Sequence, residues 1–319
     1  MGWLKRLDRF LLTIIGAALI ATLLPAQGAA VTAVDWLTTF AVAALFFVYG
    51  VRLKPEQALA GLTHWRLHLT ILSLTYLAFP LIGWSLQVLS PWLLSPALYA
   101  GVLYLTLVPS TVQSSINFTS LAKGNVAGAI VSASASNLLG VFLTPLLCWG
   151  LMSISGGVSF DPSAILDIVA QLLLPFLLGQ FSRRWTAGWV AAHPKLKLFD
   201  NGVIVLVVYS AFSAGMREHM WQQVEPLALL ALLGVCLVIL AVMLGFSFWL
   251  ARRLGFSRED VIAIQFCGTK KSLATGLPMA NVLFAGSPIG LLVLPLMVFH
   301  QAQLMACGSL AARYAKQLD

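Results

Sequence analysis

Long apolar runs separated by short polar segments make up most of this sequence. An α-helix needs about 20 residues, at about 1.5 Å each, to cross the hydrocarbon core of a bilayer. Runs of that length recur ten times, at approximately residues 10–27, 35–53, 68–89, 97–122, 125–152, 163–182, 198–216, 224–250, 259–284 and 289–312. The pattern therefore predicts an all-α polytopic membrane protein with ten transmembrane helices.

The composition excludes a soluble globule. Of the 319 residues, 60% are hydrophobic and 9% are charged, and the mean hydropathy is +0.91. A soluble protein of this size could not bury so much apolar surface. The net charge of +8 does not indicate nucleic-acid binding, which needs a basic face on a folded soluble module. The four cysteines lack metal-ligand or disulfide spacing, and we expect neither a metal nor another cofactor.

The lysines and arginines outside the spans orient the protein. Only Arg217, in "MREHMWQQVE", falls on one side, and sixteen fall on the other: Lys5, Arg6, Arg9, Arg52, Lys54, Arg66, Lys123, Arg183, Arg184, Lys195, Lys197, Arg252, Arg253, Arg258, Arg313 and Lys316. Because basic residues concentrate on the cytoplasmic side, we expect both termini there, in a bacterial-type inner (plasma) membrane. The first apolar run exceeds the usual length of about 7 to 15 residues for a signal peptide, so we expect it to be retained, although the charge pattern alone does not exclude cleavage.

The ten spans divide into two sets of five, about residues 10–152 and 163–312. An odd number of spans inverts the second set, as in many secondary transporters. Spans 4 and 9 then correspond, and both carry polar segments, one beside Pro109 and one between Gly268 and Gly276. Proline removes a backbone donor and glycine permits irregular backbone. Such backbone at membrane depth must be satisfied by protein or a wet cavity, so we expect broken helices that meet near the midplane.

Lys270 and Lys271 lie inside span 9 and are the main functional candidates. A charge at the bilayer centre costs roughly 2.5–3.5 kcal/mol on insertion scales. Lys270 is 11 residues beyond Glu259 at the cytoplasmic start of the span, or roughly 16 Å along a helix, which disfavours snorkelling to the interface. We expect only one of the two lysines to face the crossing, the point where the two broken helices meet, and the sequence does not say which.

No Asp or Glu lies in the middle of a predicted span. Three roles for the positive charge therefore stay open. It could attract an anionic substrate, it could stand where another transporter holds a cation, or it could lose its proton. Burial favours the neutral form of an amine, so a lysine that alternates between a wet cavity and a closed state could carry a proton.

Neighbouring polar residues complete the candidate substrate and ion site. They are Gln113, Ser114, Ser115 and Asn117 in span 4, Ser132 in span 5, and Thr269 and Ser272 beside the lysines. The cluster in span 4 has no obvious packing role, whereas the run "VSASASN" around Ser132 favours close helix packing. Gln265, His300 and Gln301 are weaker candidates, more typical of contacts between helices.

Three segments carry a resemblance to a known family: "LTHWRLHLT", "VPSTVQSSINFTSLAKGNVAGAIVSASASNLLGVFLTPLL" and "FCGTKKSLATGLPMANVLF". They resemble the SBF-like branch of the bile acid:sodium symporter superfamily, and the likeness extends over essentially the whole chain. It implies a single membrane transporter domain, residues 1–319, with ten helices in two inverted five-helix repeats. It also implies a panel domain and a core domain, with helices 4 and 9 broken and crossed.

The resemblance implies sodium ligands in spans 4 and 5 that this chain only partly retains. The Ser-Asn pair of bile acid symporters falls on Ser115 and Ile116, with Asn117 one position further on. Two hydroxyl ligands expected in the next helix fall at about Ala129 and Ala133, next to Ser132.

A larger departure lies in span 9. The family pattern E-x-G-x-Q-N-S reads "FCGTKKS" here, so Phe266 replaces the carboxylate and the two lysines replace the Gln-Asn pair, while Ser272 is kept. An ammonium a few ångströms away would repel sodium by about 4 kcal/mol at an effective dielectric constant of 20. We therefore expect one lysine ammonium to substitute for the bound cation.

We expect a secondary active transporter of a small organic anion that works by alternating access and is sodium-independent or proton-linked. A sodium-coupled bile-acid-type symporter is one alternative. A non-transporting membrane regulatory protein, in which the lysines bind backbone carbonyls as a fixed structural element, is another. An enzyme is not expected, because no nucleophile, base and metal set is present in the spans.

Overall fold

The computed structural model describes residues 9–52, 64–90, 92–153, 169–217, 219, 222, 225–284 and 289–317. Their regular structure is helical, without strands, which confirms the all-α class for this part of the chain. The helices are α1 (Arg9–Leu23), α2 (Ala29–Arg52), α3 (Trp65–Leu89), α4 (Pro96–Leu107), α5 (Val112–Leu121), α6 (Val126–Met152), α7 (Leu174–Ala192), α8 (Leu196–Arg217), α9 (Pro226–Arg253), α10 (Arg258–Thr269), α11 (Leu273–Leu283) and α12 (Ile289–Lys316).

Within the described residues, six helices are long and apolar enough to cross a membrane, namely α2, α3, α6, α8, α9 and α12. Leu12–Leu23 and Pro96–Leu107 are shorter apolar helices. These lengths support a multi-pass membrane protein. The ten-span inverted repeat and its panel and core domains stay predictions.

Two predicted span boundaries are wrong. α2 begins at Ala29 rather than at residue 35, and α7 runs on to Ala192 rather than ending at 182. Arg183 and Arg184 therefore lie within a helix and not in a loop. Polar side chains mark a membrane boundary in the sequence, but they do not end the hydrogen bonding of a helix. The Arg184 guanidinium lies 3.7 Å from the centroid of the Trp185 ring, a pairing suited to the interface. Predicted span residues 163–168, together with Lys5, Arg6 and Lys54, lie outside the described residues.

The predicted interruptions of spans 4 and 9 lie at residues 108–111 and 270–272. α4 ends at Leu107 because Val108 precedes Pro109 and adopts extended backbone, with φ −74° and ψ 155°. α10 ends at Thr269, and Lys270 is also extended, with φ −93° and ψ 149°. Each predicted span is thus two short helices joined by a non-helical segment.

The chain divides into two compact units. The first comprises Met1–Arg52, Asp161–Glu225 and Leu277–Leu291, and the second comprises Leu53–Phe160, Pro226–Gly276 and Leu292–Asp319. Both helix breaks, both lysines and their contacts lie in the second unit.

In the first unit, α2 and α7 pack closely at two glycines. A Cβ atom on Gly50 would meet the carbonyl oxygen of Phe176, and one on Gly179 would meet that of Phe47. Small residues of this kind let membrane helices approach backbone to backbone. Before the start of α2, the carbonyl of Ala26 accepts a hydrogen bond from Arg217 Nη1 at 3.2 Å. The one arginine that breaks the charge pattern therefore caps an irregular backbone segment.

In the second unit, Asn125 joins α6 to the start of α10. Its Oδ1 accepts from the N–H of Gly128 at 2.8 Å, and its Nδ2 donates to Asp260 Oδ1 at 2.7 Å. Its backbone N–H donates to the carbonyl of Glu259 at 2.9 Å. Asn125 is thus the N-cap of α6 and also fixes the end of the interrupted helix pair α10–α11.

Candidate functional site

The two helix breaks are in direct contact. The N–H of Ser272 donates to the carbonyl of Pro109 at 2.8 Å, and the Ser110 hydroxyl donates to the carbonyl of Cys267 at 2.6 Å. The Thr111 hydroxyl donates to the carbonyl of Lys271 at 2.9 Å. Non-helical backbone at membrane depth needs such partners, and each break supplies them to the other.

Carbonyl groups at the end of α4 and in the break that follows it accept hydrogen bonds from side chains. The Thr144 hydroxyl donates to the carbonyl of Leu107 at 2.9 Å, and Asn137 Nδ2 donates to that of Ser110 at 2.6 Å. Two further carbonyls of this break, those of Thr106 and Val108, accept from Lys271. A helix C-terminus carries partial negative charge, so a cation is favoured there.

The Lys271 side chain is fully buried, with 0% exposure. Its Nζ donates to the carbonyl oxygens of Thr106 at 2.7 Å, Val108 at 2.9 Å and Thr75 at 3.0 Å. It also lies 4.2 Å from the ring centroid of Phe79. Because an ammonium has three donors, the protein satisfies the hydrogen-bonding capacity of this group in full.

The third carbonyl of this set is available because α3 is irregular. Residues Leu74–Ala78 form a π-helical turn in which the N–H of Phe79 donates to the carbonyl of Leu74. The next donor in that register would be residue 80, which is proline and has no N–H. The carbonyl of Thr75 is left without that helical partner and accepts from Lys271 instead.

The backbone of Lys271 is held by Gln303 on α12. Gln303 Oε1 accepts from the Lys271 N–H at 2.9 Å, and Gln303 Nε2 donates to the Lys271 carbonyl at 2.8 Å. The carboxamide therefore replaces the two hydrogen bonds that a helix or strand would provide. Gln303 Nε2 also lies 2.9 Å from His300 Nδ1.

The Lys270 side chain has the same 0% exposure but different surroundings. Its Nζ donates to the carbonyl of Ser114 at 3.0 Å. It lies 3.6 Å from the ring centroid of Phe118 and 5.8 Å from that of Phe266. In the described part of the chain, this ammonium has one hydrogen bond, and no acidic side chain contacts either lysine.

Four of the predicted polar residues lie at or next to the breaks. The Ser115 hydroxyl donates to the carbonyl of Phe266 at 3.3 Å and so joins α5 to α10. The Ser272 hydroxyl accepts from the N–H of Thr275 at 3.2 Å, at the start of α11. The Thr269 hydroxyl donates within its own helix, to the carbonyl of Gln265 at 2.5 Å. Ser114 contacts Lys270 through its carbonyl group only.

Three others do not contact the lysines. Gln113 and Asn117 are exposed, and Gln113 Nε2 donates to Asn117 Oδ1 at 3.1 Å along one face of α5. The Ser132 hydroxyl lies 2.6 Å from Nδ1 of His68, a buried residue of α3. Polarity alone did not distinguish residues of the crossing from those that only flank it.

Asn137, Thr275 and Gln303 also contribute to the breaks, although the sequence did not predict them. Asn137 Nδ2 donates to the carbonyl of Ser110, and its Oδ1 accepts from the hydroxyl of Thr275 at 2.7 Å. Asn137 follows the serine run in span 5, and Gln303 is two residues beyond the Gln301 that was considered. A carboxamide inside an apolar span is a functional signal in itself and could have pointed to both.

Gly268 and Gly276 act through small size rather than backbone freedom. Among the described glycines, only Gly28 and Gly255 have positive φ. A Cβ atom on Gly268 would lie 2.7 Å from Leu74 Cδ1, and one on Gly276 would lie 2.6 Å from Leu296 Cδ2. We expected these two glycines to permit irregular backbone. Instead, their small size allows neighbouring side chains to pack closely around the break.

The described residues contain no group of three or more His, Cys, Asp or Glu side chains that could hold a metal ion. The functional groups of the site are two ammonium groups, backbone carbonyls, hydroxyls and carboxamides. This set can bind and orient an ion or a polar solute.

A membrane protein in which two interrupted helices meet at buried charges belongs, as a class, with the membrane transporters. The chain belongs to the SBF-like CPA transporter family, whose model matches residues 8–316. This confirms the resemblance inferred from the sequence motifs.

Individual relatives agree over nearly the full length. The chain is 52% identical to protein PA2026 of Pseudomonas aeruginosa over 314 residues, covering 98% of this chain and 94% of the relative. It is 48% identical to "Putative symporter YfeH" of Escherichia coli (strain K12) over 321 residues, covering 100% and 96%. It is 30% identical to "Sodium/bile acid cotransporter 7-B" of Xenopus laevis over 314 residues, covering 96% and 91%.

Proposed function

We propose that this protein is a secondary active transporter of a small organic anion and that it works by alternating access. Membership of a transporter family supports the general class. The buried ammonium of Lys270, with one hydrogen-bond acceptor and no acidic partner among the described residues, supports an anionic substrate, because a buried charge is stabilised by a counter-charge. The helix breaks supply the irregular, polar backbone on which transporters build their binding sites.

One observation carries the proposal on coupling. The ammonium of Lys271 is surrounded by three backbone carbonyl oxygens at the point where the two breaks meet. Carbonyl oxygens are the ligands that hard cations such as sodium use. A sodium ion 4 Å from this ammonium would be repelled by about 4 kcal/mol at an effective dielectric constant of 20. We therefore propose that Lys271 takes the place of a bound cation and that transport is sodium-independent or proton-linked.

The second candidate is sodium-coupled transport of a bile-acid-type anion. The name of the Xenopus relative favours it. Ser115 and Ser132 retain hydroxyl groups near the positions that the family resemblance implies, but each hydroxyl already contacts a protein partner, Phe266 O and His68 Nδ1 respectively.

Uptake by the purified protein in proteoliposomes tests the proposal. A panel of labelled organic anions, including acetate, hexanoate, benzoate and cholate, is offered with an inward sodium gradient, an inward proton gradient or neither. We expect uptake of at least one anion that does not change when sodium is replaced by choline. Uptake that requires sodium would support the second candidate. If no anion moves under any gradient, the transporter proposal is wrong and a regulatory role is favoured.

We also propose that the protein lies in the inner (plasma) membrane with both termini on the cytoplasmic side. The excess of basic residues on one side supports this orientation. Single cysteines placed at Lys195 and Lys316 in a variant without the native cysteines should be labelled by an impermeant maleimide only after the inner membrane is opened. Labelling in intact spheroplasts would reverse the assignment.

A further inference from the structure

Lys270 and Lys271 differ in how far the protein itself compensates their charge. Lys271 has three carbonyl acceptors at the negative end of a helix. Lys270 has one, the carbonyl of Ser114, and otherwise faces aromatic rings. A buried ammonium with unused N–H donors and no acidic partner in the described residues is poorly satisfied by the fold alone.

A second unsatisfied group lies on the residue that Lys270 contacts. The Ser114 hydroxyl oxygen is buried and has no hydrogen-bond partner among the described residues. Buried hydroxyls are normally hydrogen-bonded, so this group is a second place where the fold leaves donor capacity unused. The ammonium and the hydroxyl are two separate observations on residues that contact each other, and both can donate to the same kind of acceptor.

We infer that Lys270 and Ser114 form an oxyanion subsite that binds the single anionic group of a transported solute, a carboxylate or a sulfonate. The inference rests on the proposed transport of an organic anion and assigns its charge recognition to these two residues. Each supplies a donor to an oxygen of the anion, and the ammonium supplies the counter-charge. Lys271 is excluded from this role because its three donors are already used.

The charge balance favours a singly charged anion. With Lys271 committed to the carbonyl groups, Lys270 offers one positive charge at the subsite. A dianion would bring a second, uncompensated negative charge into a site of low dielectric constant. Lysine is also a point charge without the planar fork by which arginine binds phosphate or carboxylate in a bidentate manner. Dicarboxylates and phosphate esters should therefore bind more weakly than monoanions.

The surroundings also indicate how a solute reaches the subsite and what it carries. The Ser114 hydroxyl is buried, but the residue is partly exposed and follows the exposed Gln113 on α5, so we place the approach on that side of the helix. Phe118 covers Lys270 and packs against a buried cluster that includes Phe266 and Cys307. An apolar body next to the anionic group would fit this wall.

Ligand-dependent thermal unfolding of the full-length protein in nanodiscs tests the subsite. The probes are hexanoate, benzoate and cholate as monoanions, adipate and phthalate as dianions, and hexanamide as a neutral analogue. Wild type is compared with Lys270→Met, Lys270→Arg, Ser114→Ala and the control Ser120→Ala, an exposed serine of the same helix. Lys270→Met removes a buried charge without shortening the side chain, so it is expected to fold.

We expect at least one monoanion to raise the melting temperature of wild type and of Ser120→Ala equally, and its matching dianion and amide to do so less. Ser114→Ala should weaken this binding about tenfold, the usual effect of one hydrogen bond to a charged group. Lys270→Met should abolish it, and Lys270→Arg should retain part of it.

Uptake of the same probes separates the two levels of the proposal. If a monoanion is transported and binds Lys270→Met as tightly as wild type, the subsite is wrong and the proposed transport function stands. Stronger binding of the dianions would overturn the assignment of a singly charged group. If wild type neither binds nor transports any anionic probe, the transport proposal and the subsite both fail.

Discussion

The ammonium of Lys271 donates to three backbone carbonyls, whereas that of Lys270 donates to one and lies against the ring of Phe118. The two residues are adjacent, have identical side chains and are equally buried. The difference arises because the backbone here is extended rather than helical. Successive side chains of extended backbone point to opposite sides, so one lysine reaches α3 and the end of α4, and the other reaches α5.

The comparison shows that burial of a charge does not by itself reveal its role. The charge of Lys271 completes the fold, because it satisfies the Thr75 carbonyl, which Pro80 leaves without a helical donor, and two carbonyls at the end of α4, where the helix stops before Pro109. The charge of Lys270 satisfies little of the fold and remains available to a ligand. Variants of the two residues should therefore differ in kind: one in stability and the other in binding.

The largest expected effect is that of Lys271→Met on stability. The substitution leaves three buried carbonyl oxygens without this donor, each at a cost of about 1–3 kcal/mol. We expect a loss of at least about 3 kcal/mol in the free energy of unfolding, measured by denaturant titration in detergent. Lys270→Met should change it by less than about 1 kcal/mol, or stabilise the protein.

The exposed Lys195→Met serves as a control for loss of a lysine. Equal losses of stability for the two buried positions would remove the contrast between them.

A smaller effect is expected for Gln303→Leu. It removes the acceptor and the donor that hold the backbone of Lys271, and we expect a loss of about 2–3 kcal/mol. Gln303→Glu keeps the acceptor and loses the donor, so its stability should lie between those of wild type and Gln303→Leu. Thermal unfolding of the three proteins checks this order. A Gln303→Leu variant as stable as wild type would show that the break does not need the carboxamide.

Ser115→Ala should have a lesser effect again. It removes one long hydrogen bond of 3.3 Å between α5 and α10, which is worth about 0.5–1 kcal/mol. Because α5 carries Ser114, the variant also asks whether this contact positions the proposed subsite. We expect the affinity for a bound monoanion to fall less than in Ser114→Ala. A larger fall would place the charge recognition nearer to Ser115.

The smallest effect on stability is expected for Gln113→Ala and Asn117→Ala. Both side chains are exposed and contact each other, and a pair of this kind contributes about 0.2–0.5 kcal/mol. The double variant should melt within the range of the single variants. A loss of stability as large as that of Gln303→Leu would show that these two side chains contact the helix breaks.

The sequence predicted those parts of the site that depend on local chemistry. The apolar runs, Pro109 and the two lysines were enough to locate both helix breaks and the buried charges. The carbonyl set around Lys271 could not be predicted, because it combines a π-helical turn in α3 with the end of α4. Such contacts depend on how distant helices pack and not on the residues next to the lysine.

The same limit applies to the other predicted site residues. Gln113 and Asn117 are polar and next to the break, but helical periodicity turns them to the exposed face of α5. Ser132 is buried as expected of a small-residue face, yet its hydroxyl is taken by His68 from a different span. Residue type therefore indicated which segments are polar. The packing of the helices decides which polar side chains of those segments lie at the helix breaks.

The proposed role of Lys271 as a replacement for a bound cation is tested most directly by the cation dependence of the melting temperature of wild type and of Lys271→Ala. Both are measured in ammonium, sodium and choline chloride at equal ionic strength. If the Lys271 ammonium stands in for a bound cation, wild type should be indifferent to the cation. Lys271→Ala should be destabilised in choline and recover with rising ammonium concentration, as mass action on an oxygen-lined site requires. A wild type stabilised by sodium, together with a Lys271→Ala variant that responds to no cation, would contradict this role of Lys271.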